Sequence, residues 1–482
     1  MRRAMACKLL AVLAALILAA GASAIAQTAP PPAKTAAMES AAAASAEPWS
    51  EEWIKQTKQP VEWFKWGADA RLREVFTPNL LLDKEDRHFQ RYRFRTWFTV
   101  SPIKDLDWNV RLVWEPRHFC QPSREAFTRD AAYIDEWTMN EAIFDQMNVE
   151  WRNILGTPLK VKVGRQDIIF GDGWLVLDGT PLDGSRTIFF DAVRGTLEAK
   201  DIQTTFDLVY ICQKADSDYW LPPFCDKDFH NIEQDEQGVI AYVSNKSLDK
   251  TQIDGYFIYK HDEREIVFPD DYVAPWQQGS NADLYTFGTR VAGDIDENWK
   301  YRAEYAAQFG HKNGVDHCAQ GFNSRLSYFF KDPLNNNLRV GYEYLSGDRP
   351  STDTDEQFDP LWGRWPQFSE LLAYTVALEN RPGETTNLHR VGMGWSCNPA
   401  KPLELATDYH LLFRDQNSYH GRPYFEDSDC FRGQLLTAVL KYKFSEHIST
   451  HLWGEFFFPG DFYSDAYNET AAFLRYELIF TW

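Results

Sequence analysis

From Thr470 to its last residue the chain reads TAAFLRYELIFTW, and its side chains separate with period two. Ala472, Leu474, Tyr476, Leu478, Phe480 and Trp482 share one face with Thr470, whereas Arg475 and Glu477 share the other with Ala471, Phe473, Ile479 and Thr481. Side chains alternate across a strand, so the segment predicts a strand with one almost wholly apolar face and one charged face. A soluble sandwich strand can show this pattern. A terminal strand with inward charge and a final aromatic fits a transmembrane β-barrel better. The same alternation recurs along the chain in eighteen segments: 64–75, 89–100, 106–114, 136–152, 159–170, 189–198, 202–212, 237–244, 252–261, 283–294, 299–310, 318–329, 337–347, 388–396, 403–413, 431–444, 448–457 and 466–482. Tight Pro/Gly/Asn/Asp linkers such as SPIKD, GDIDEN, KDPLNN and CNPAKP alternate with long polar ones at 76–88, 115–135, 213–236, 262–282, 348–387 and 414–430. Short periplasmic turns alternating with long outer loops define an all-β, antiparallel transmembrane barrel. Eighteen strands return the chain to its starting side, and sixteen would do so too. Either number encloses an aqueous lumen.

The N-terminus places this barrel in a compartment. Arg2, Arg3 and Lys8 precede an apolar run, Leu9 to Ala20, followed by small residues at Ala22-Ser23-Ala24 and Ala24-Ile25-Ala26. This reads as a signal peptide, residues 1–26, because the apolar run falls short of the ~20 residues of a spanning helix. Residues 27–62 begin as an Ala/Pro-rich stretch and are expected to be a periplasmic tail, leaving 63–482 for the barrel. The 15% aromatic content, with 18 Trp, suits aromatic girdles at the membrane interfaces. A net charge of −20 argues against nucleic acid as a partner. The acidic stretches 213–236 and 348–387 are expected to be solvated loops. Cys120, Cys212, Cys225, Cys318, Cys397 and Cys430 follow the leader, and in an exported protein they can pair, with Cys212–Cys225 among the candidates. Their spacing points to no metal, and no cofactor is implied.

Inward positions carry the candidate chemistry. In HFQRYRFRTWFTV, Arg91, Arg93 and Arg95 share a face with Trp97, and Tyr92, Phe94, Thr96, Phe98 and Val100 take the other. One arginine on the lipid face near the bilayer midplane costs about 2–4 kcal/mol, so the arginines must point inward. The same logic turns inward Asp69, Arg71 and Arg73, then Arg111 and Glu115, then Glu150. Further along the chain it assigns Arg302, Arg339 and Arg390, with Arg475 closing the series. Two readings compete. These charges either pair with each other and hydrate the wall, or form an electropositive strip over the first three strands that favours anions.

Two blocks carry a resemblance. WFKWGADARLREVF with DRHFQRYRFRTWF, and VKVGRQDIIFGDGWLVLDG with GSRTIFFDAVRGTLE, resemble the alginate export family of outer-membrane barrels. In the second block the matching positions are Gly164, Arg165, Gln166, Gly171, Asp172, Gly173, Arg186, Thr187, Phe190 and Asp191. The resemblance implies an eighteen-stranded channel exporting an acidic polysaccharide through an arginine-lined constriction. Arg165 and Arg194 join the expected pore lining, with Gly164 read as a bulge that turns Arg165 inward. Asp191 is expected to clamp Arg165 or Arg186. The implied partners are an anionic saccharide or other small anionic solute, outer-membrane lipid, the barrel-assembly machinery reading the last strand, and periplasmic export proteins. A diffusion porin unrelated to alginate is the alternative. An enzymatic barrel is weaker, because no Gly-x-Ser-x-Gly or His-Glu-x-x-His occurs.

Overall fold

The computed structural model describes residues 50–120, 137–138, 142–177, 189–216, 219–224, 232, 234–264, 278–426 and 429–482. Among these residues alternating side chains produce twenty strands in one antiparallel sheet. The first seven are β1 Phe64–Pro78, β2 Asp86–Ile103, β3 Leu106–Trp114, β4 Arg117–Phe119, β5 Trp137–Thr138, β6 Ala142–Trp151 and β7 Leu159–Gln166. Then come β8 Phe190–Ala199, β9 Thr204–Gln213, β10 Asp235–Leu248, β11 Thr251–Glu263, β12 Ala282–Asp294, β13 Trp299–Lys312 and β14 Val315–Phe329. The set ends with β15 Asn337–Leu345, β16 Leu388–Ala400, β17 Leu403–Phe413, β18 Phe431–Lys443, β19 Ile448–Pro459 and β20 Ala471–Thr481. The short β4 and β5 prolong the wall beside β2. The other eighteen are the staves, and β20 pairs with both β19 and β1 to close the barrel.

The expected faces hold. Along β2, Arg91 and Arg93 are buried, while Phe94 and Phe98 are exposed. Phe287, Val340, Met393, Leu452, Leu474 and Phe480 add to this outward apolar surface, which is the lipid-facing band of an outer-membrane barrel.

Both ends of the described chain meet at the tight-turn side. Within the stretch expected as a tail, helix α1, Glu51–Lys58, is capped by Ser50, whose Oγ accepts from Trp53 N at 3.2 Å. Trp53 packs edge-on against Trp482 with centroids 5.5 Å apart, and Trp66 Nε1 donates to Thr57 O at 2.7 Å. Trp482 N donates to Ala68 O at 2.8 Å, so the terminal aromatic fastens the closing seam. Deleting Phe480 to Trp482 is therefore expected to reduce the yield of heat-modifiable, folded barrel sharply. Undiminished yield on semi-native gels would show the terminal aromatics to be dispensable.

The largest departure from expectation lies inside. Segment 346–387 is not a solvated outer loop. It folds into the lumen, carrying the short helix α2, Glu370–Thr375. Phe358, Leu361, Trp362, Leu371 and Leu372 enter one apolar cluster with Val209, Ile211, Ile240, Ile258 and Leu284 from the inner wall of β9 to β12. Each buried side chain of this size favours docking by about 1.5–3 kcal/mol. Four of the acidic residues that suggested solvation are matched by cations. Lys312 Nζ lies 2.7 Å from Asp359, Arg381 Nε lies 2.7 Å from Glu384, Arg475 lies 3.3 Å from Glu370, and Arg432 pairs with Glu379. Burial opposes ionisation of Asp359 and Glu384, but Lys312, Lys260 and Arg381 beside the first, and Arg381 and Lys312 beside the second, hold both carboxyls below the usual range. A depressed folded-state pKa contributes stability above the ordinary carboxylate range and loses it only as pH falls through the depressed value, so these anchors outlast mild acid. Asp235 and Glu236 of the other acidic stretch are likewise buried at the start of β10.

Candidate functional site

A cavity of about 990 Å³ runs along the inner wall from Asp172 and Trp174 to Lys443, His447 and Thr481 at the tight-turn end. Its upper boundary forms where segment 167–177 meets the inward loop. Gly171 and Gly173 take positive φ, +57° and +75°, which permits the tight turn around Asp172. Trp362 N donates to Leu175 O at 3.0 Å, and Trp174 stacks on Phe358 at 5.5 Å. Gln367 Nε2 donates to Asp172 O at 2.7 Å.

Asp172 draws two arginines of the cavity wall together. Its Oδ2 accepts from Arg290 Nε at 3.0 Å and lies 2.7 Å from Arg302 Nη1. Burial resists its ionisation, yet Arg302 and Arg290 hold the carboxyl below the ordinary range. Below it, Glu343 accepts from Trp174 Nε1 at 3.0 Å, Asn323 Nδ2 at 3.0 Å and Arg390 Nε at 2.9 Å. Arg339 makes a two-pronged contact with Asp408, 2.8 and 2.6 Å. Arg325 stands directly across the β13–β14 ladder from Arg302. It is exposed to the cavity and makes no hydrogen bond or ion pair among the described residues.

The candidates therefore divide. Arg302, Arg339, Arg390 and Arg475 line the cavity, as does Glu477, and the sequence reading passed over Arg290 and Arg325. Arg325 had a legible signal, since it alternates with Asn323 on a charged face of FNSRLSYFF. The arginines of β1 and β2 behave otherwise. Arg71, Arg73, Arg91 and Arg93 are buried in an ion-pair cluster with Asp69, Glu115 and Glu477. Arg91 lies 3.0 Å and Arg71 3.7 Å from Glu115, Arg93 lies 3.3 Å from Asp69, Arg95 also pairs with Asp69, and Arg73 pairs with Glu477. Arg95 and Arg111 border a smaller cavity of about 210 Å³, where Arg111 is held by Asp145 at 2.7 Å and Asp167 at 3.0 Å. Glu150 joins Arg152 and Lys162, and Arg194 joins Asp207 at 2.8 Å.

Arg165 and Asp191 form the clamp expected of them. Nε and Nη2 of Arg165 reach the two carboxylate oxygens at 2.9 and 3.1 Å, Trp220 Nε1 adds a bond to Asp191 at 2.9 Å, and Arg165 caps the Phe189 ring at 3.8 Å. Neither ladder shifts register at Gly164, so the bulge expected there is absent. Gly164 nonetheless takes φ +116°, and a Cβ on it would fall 2.3 Å from Met147 O. The register shift lies on the neighbouring strand instead, leaving Asp145 as the extra residue of β6. Arg186 and Thr187 lie outside the described residues. Cys212 is disulfide-bonded, and Cys225, its candidate partner, also lies outside them.

The profile of the Alginate export family matches residues 63–477. The chain belongs to this family. No curated protein sequence matches it. Among solved structures it is similar to Pseudomonas aeruginosa OpdO, with TM-score 0.52 and 11% identity over 86% of this chain and 97% of that one. It is also similar to P. aeruginosa OccK2 (OpdF), solved in complex with glucuronate, with TM-score 0.51 and 10% identity over 87% and 97%. OccK8 (OprE) of the same organism gives TM-score 0.51 and 10% identity over 87% and 98%. At these identities the likeness establishes the fold. Family membership and the closed barrel together make this protein an outer-membrane channel of the porin and exporter type.

Proposed function

We propose that the channel passes anionic solutes, carboxylated saccharides foremost, through the arginine row of β13 to β15. The observation that supports this is the geometry of Arg325. A guanidinium facing the cavity between Arg302 and Arg339, with no counter-ion of its own, offers a fork matched to a carboxylate. The neighbouring arginines are tethered by Asp172 and Asp408, so they shape the passage while Arg325 remains available. The family's association with alginate and the glucuronate complex of OccK2 accord with a uronate-type cargo. The inward loop narrows the lumen, favouring single saccharide units or an extended chain over bulky solutes. A diffusion porin for neutral sugars is the competing reading.

Two measurements separate them. In a planar bilayer under a KCl gradient, the protein should show a reversal potential of anion preference. Liposomes containing it should swell faster in glucuronate than in glucose at matched osmolarity and counter-ion permeability. Cation preference together with equal swelling would reject the proposal.

A further inference from the structure

On its outer face, the upper wall at β1, β2 and β4 gathers a second set of chemistry-bearing residues. We propose that Glu74, His88 and Cys120 form a binding site for a borderline divalent cation of the zinc class, with His118 beside the sulfur. Their donor atoms lie within 4.8 Å of one another.

The fold brings them together by register. His88 stands opposite Phe76 on β1, which puts it diagonal to Glu74, and Cys120 N donates to His88 O at 2.9 Å just beyond β4. Period-two alternation turns His88, His118 and Cys120 to the outer face, opposite to the packed pair Phe89 and Phe119. Glu74 and His88 side chains are 42% and 30% exposed, so an ion can reach them.

The donor set and its surroundings suit a metal. His118 Nδ1 lies 3.6 Å from Cys120 Sγ. A nitrogen and a sulfur bound tetrahedrally at about 2.1 and 2.3 Å stand about 3.6 Å apart. Sulfur, nitrogen and oxygen donors together favour zinc-like ions over calcium or magnesium, which take oxygen. The outer groups are themselves oriented. Gln90 Nε2 donates to Glu74 at 2.8 Å, Tyr92 OH donates to Gln90 at 2.7 Å, and Trp137 stacks on His118 at 4.8 Å. Cys120 is a thiol rather than a disulfide. The Glu74–His88 hydrogen bond opens as the ion enters, and the bound ion then ties the first two staves to the start of the following outer loop.

The test uses the full-length protein, folded in detergent micelles under a thiol reductant, with Co²⁺ as probe and Zn²⁺ as competitor. One equivalent of Co²⁺ should bind with a sulfur-to-cobalt charge-transfer band that Zn²⁺ removes. Cys120→Ser should abolish the band, and His88→Gln or Glu74→Gln should weaken binding by about tenfold or more. A double Cys318→Ser/Cys430→Ser variant should keep both. Heat-modifiable mobility confirms folding of each variant, and if Cys120→Ser fails to fold, His88→Gln and the double variant decide the matter. No stoichiometric binding, or a band that survives Cys120→Ser or disappears with the double variant, would overturn the site.

Discussion

Removing residues 348–384 should raise single-channel conductance several-fold while leaving the barrel folded. The staves close through β1 and β20 without help from the loop, and the ends of the excised segment already adjoin. Asn387 N reaches Ser346 O at 3.3 Å, and Thr386 Oγ1 donates to the same oxygen at 3.2 Å, so a short glycine bridge can join them. What is lost is the apolar contact of Phe358, Trp362, Leu371 and Leu372 with the inner wall, which lowers thermal stability without breaking a ladder. Glu455, which accepts from Ser369 and from Glu370 N at 2.8 Å, and Arg432, which pairs with Glu379, then face water-filled space and regain hydration. An eighteen-stranded barrel without an internal loop leaves a wide aqueous channel, and current scales with the cross-section thus released. Unchanged conductance in a protein of normal heat-modifiability would mean that the limiting constriction lies elsewhere, along the β1–β3 side.

Sequence pattern revealed the wall and not its filling. Period two in β20 and β2 placed Arg475, Glu477 and the β2 arginines inward because a lipid-facing charge is so costly that local alternation alone decides the face. Strand ends were less legible. The segment expected at 136–152 is the two-residue β5 followed by β6 from Ala142, and 466–470 precede β20 rather than belong to it. Segment 348–387 was misread because its composition is acidic, and solvation was the local inference. Its matching cations, Lys260, Lys312, Arg432 and Arg475, sit on strands before and after it in the chain, where no local window sees them. The same limit governs the arginines. Alternation shows which face a guanidinium takes, whereas its availability depends on carboxylates such as Asp69, Glu115 and Glu477, contributed by strands distant in sequence. The choice left open between paired and solute-facing charge resolves differently on the two sides of the lumen.

That division yields the sharpest test of selectivity. Arg302→Gln/Arg325→Gln/Arg339→Gln should drive the reversal potential toward cations, whereas Arg91→Gln/Arg93→Gln/Arg95→Gln should leave it little changed and instead lower folded yield. Reading the sequence alone points to the second triple as the selectivity determinant. Burial and pairing favour the first triple instead, because Arg91 and Arg93 are 7% and 6% exposed and committed to Glu115 and Asp69. Neutralising them strands buried carboxylates, at about 3–5 kcal/mol for each broken pair. Arg325 is different, since Arg325→Gln alone removes a cavity-facing charge without stranding a partner. One unit charge about 5 Å from a passing anion in water is worth about 0.8 kcal/mol, or about a fourfold change in local anion concentration. At 0.15 M salt the screening length of about 8 Å confines this influence to the narrow stretch beside β13 to β15. The full triple adds the exposed negative charge of Asp408 once Arg339 is gone, and so should move selectivity further than the single variant. Should the β2 triple shift the reversal potential while Arg325→Gln does not, ions must travel along the β1–β3 wall, and the proposed solute path would be on the wrong side of the barrel.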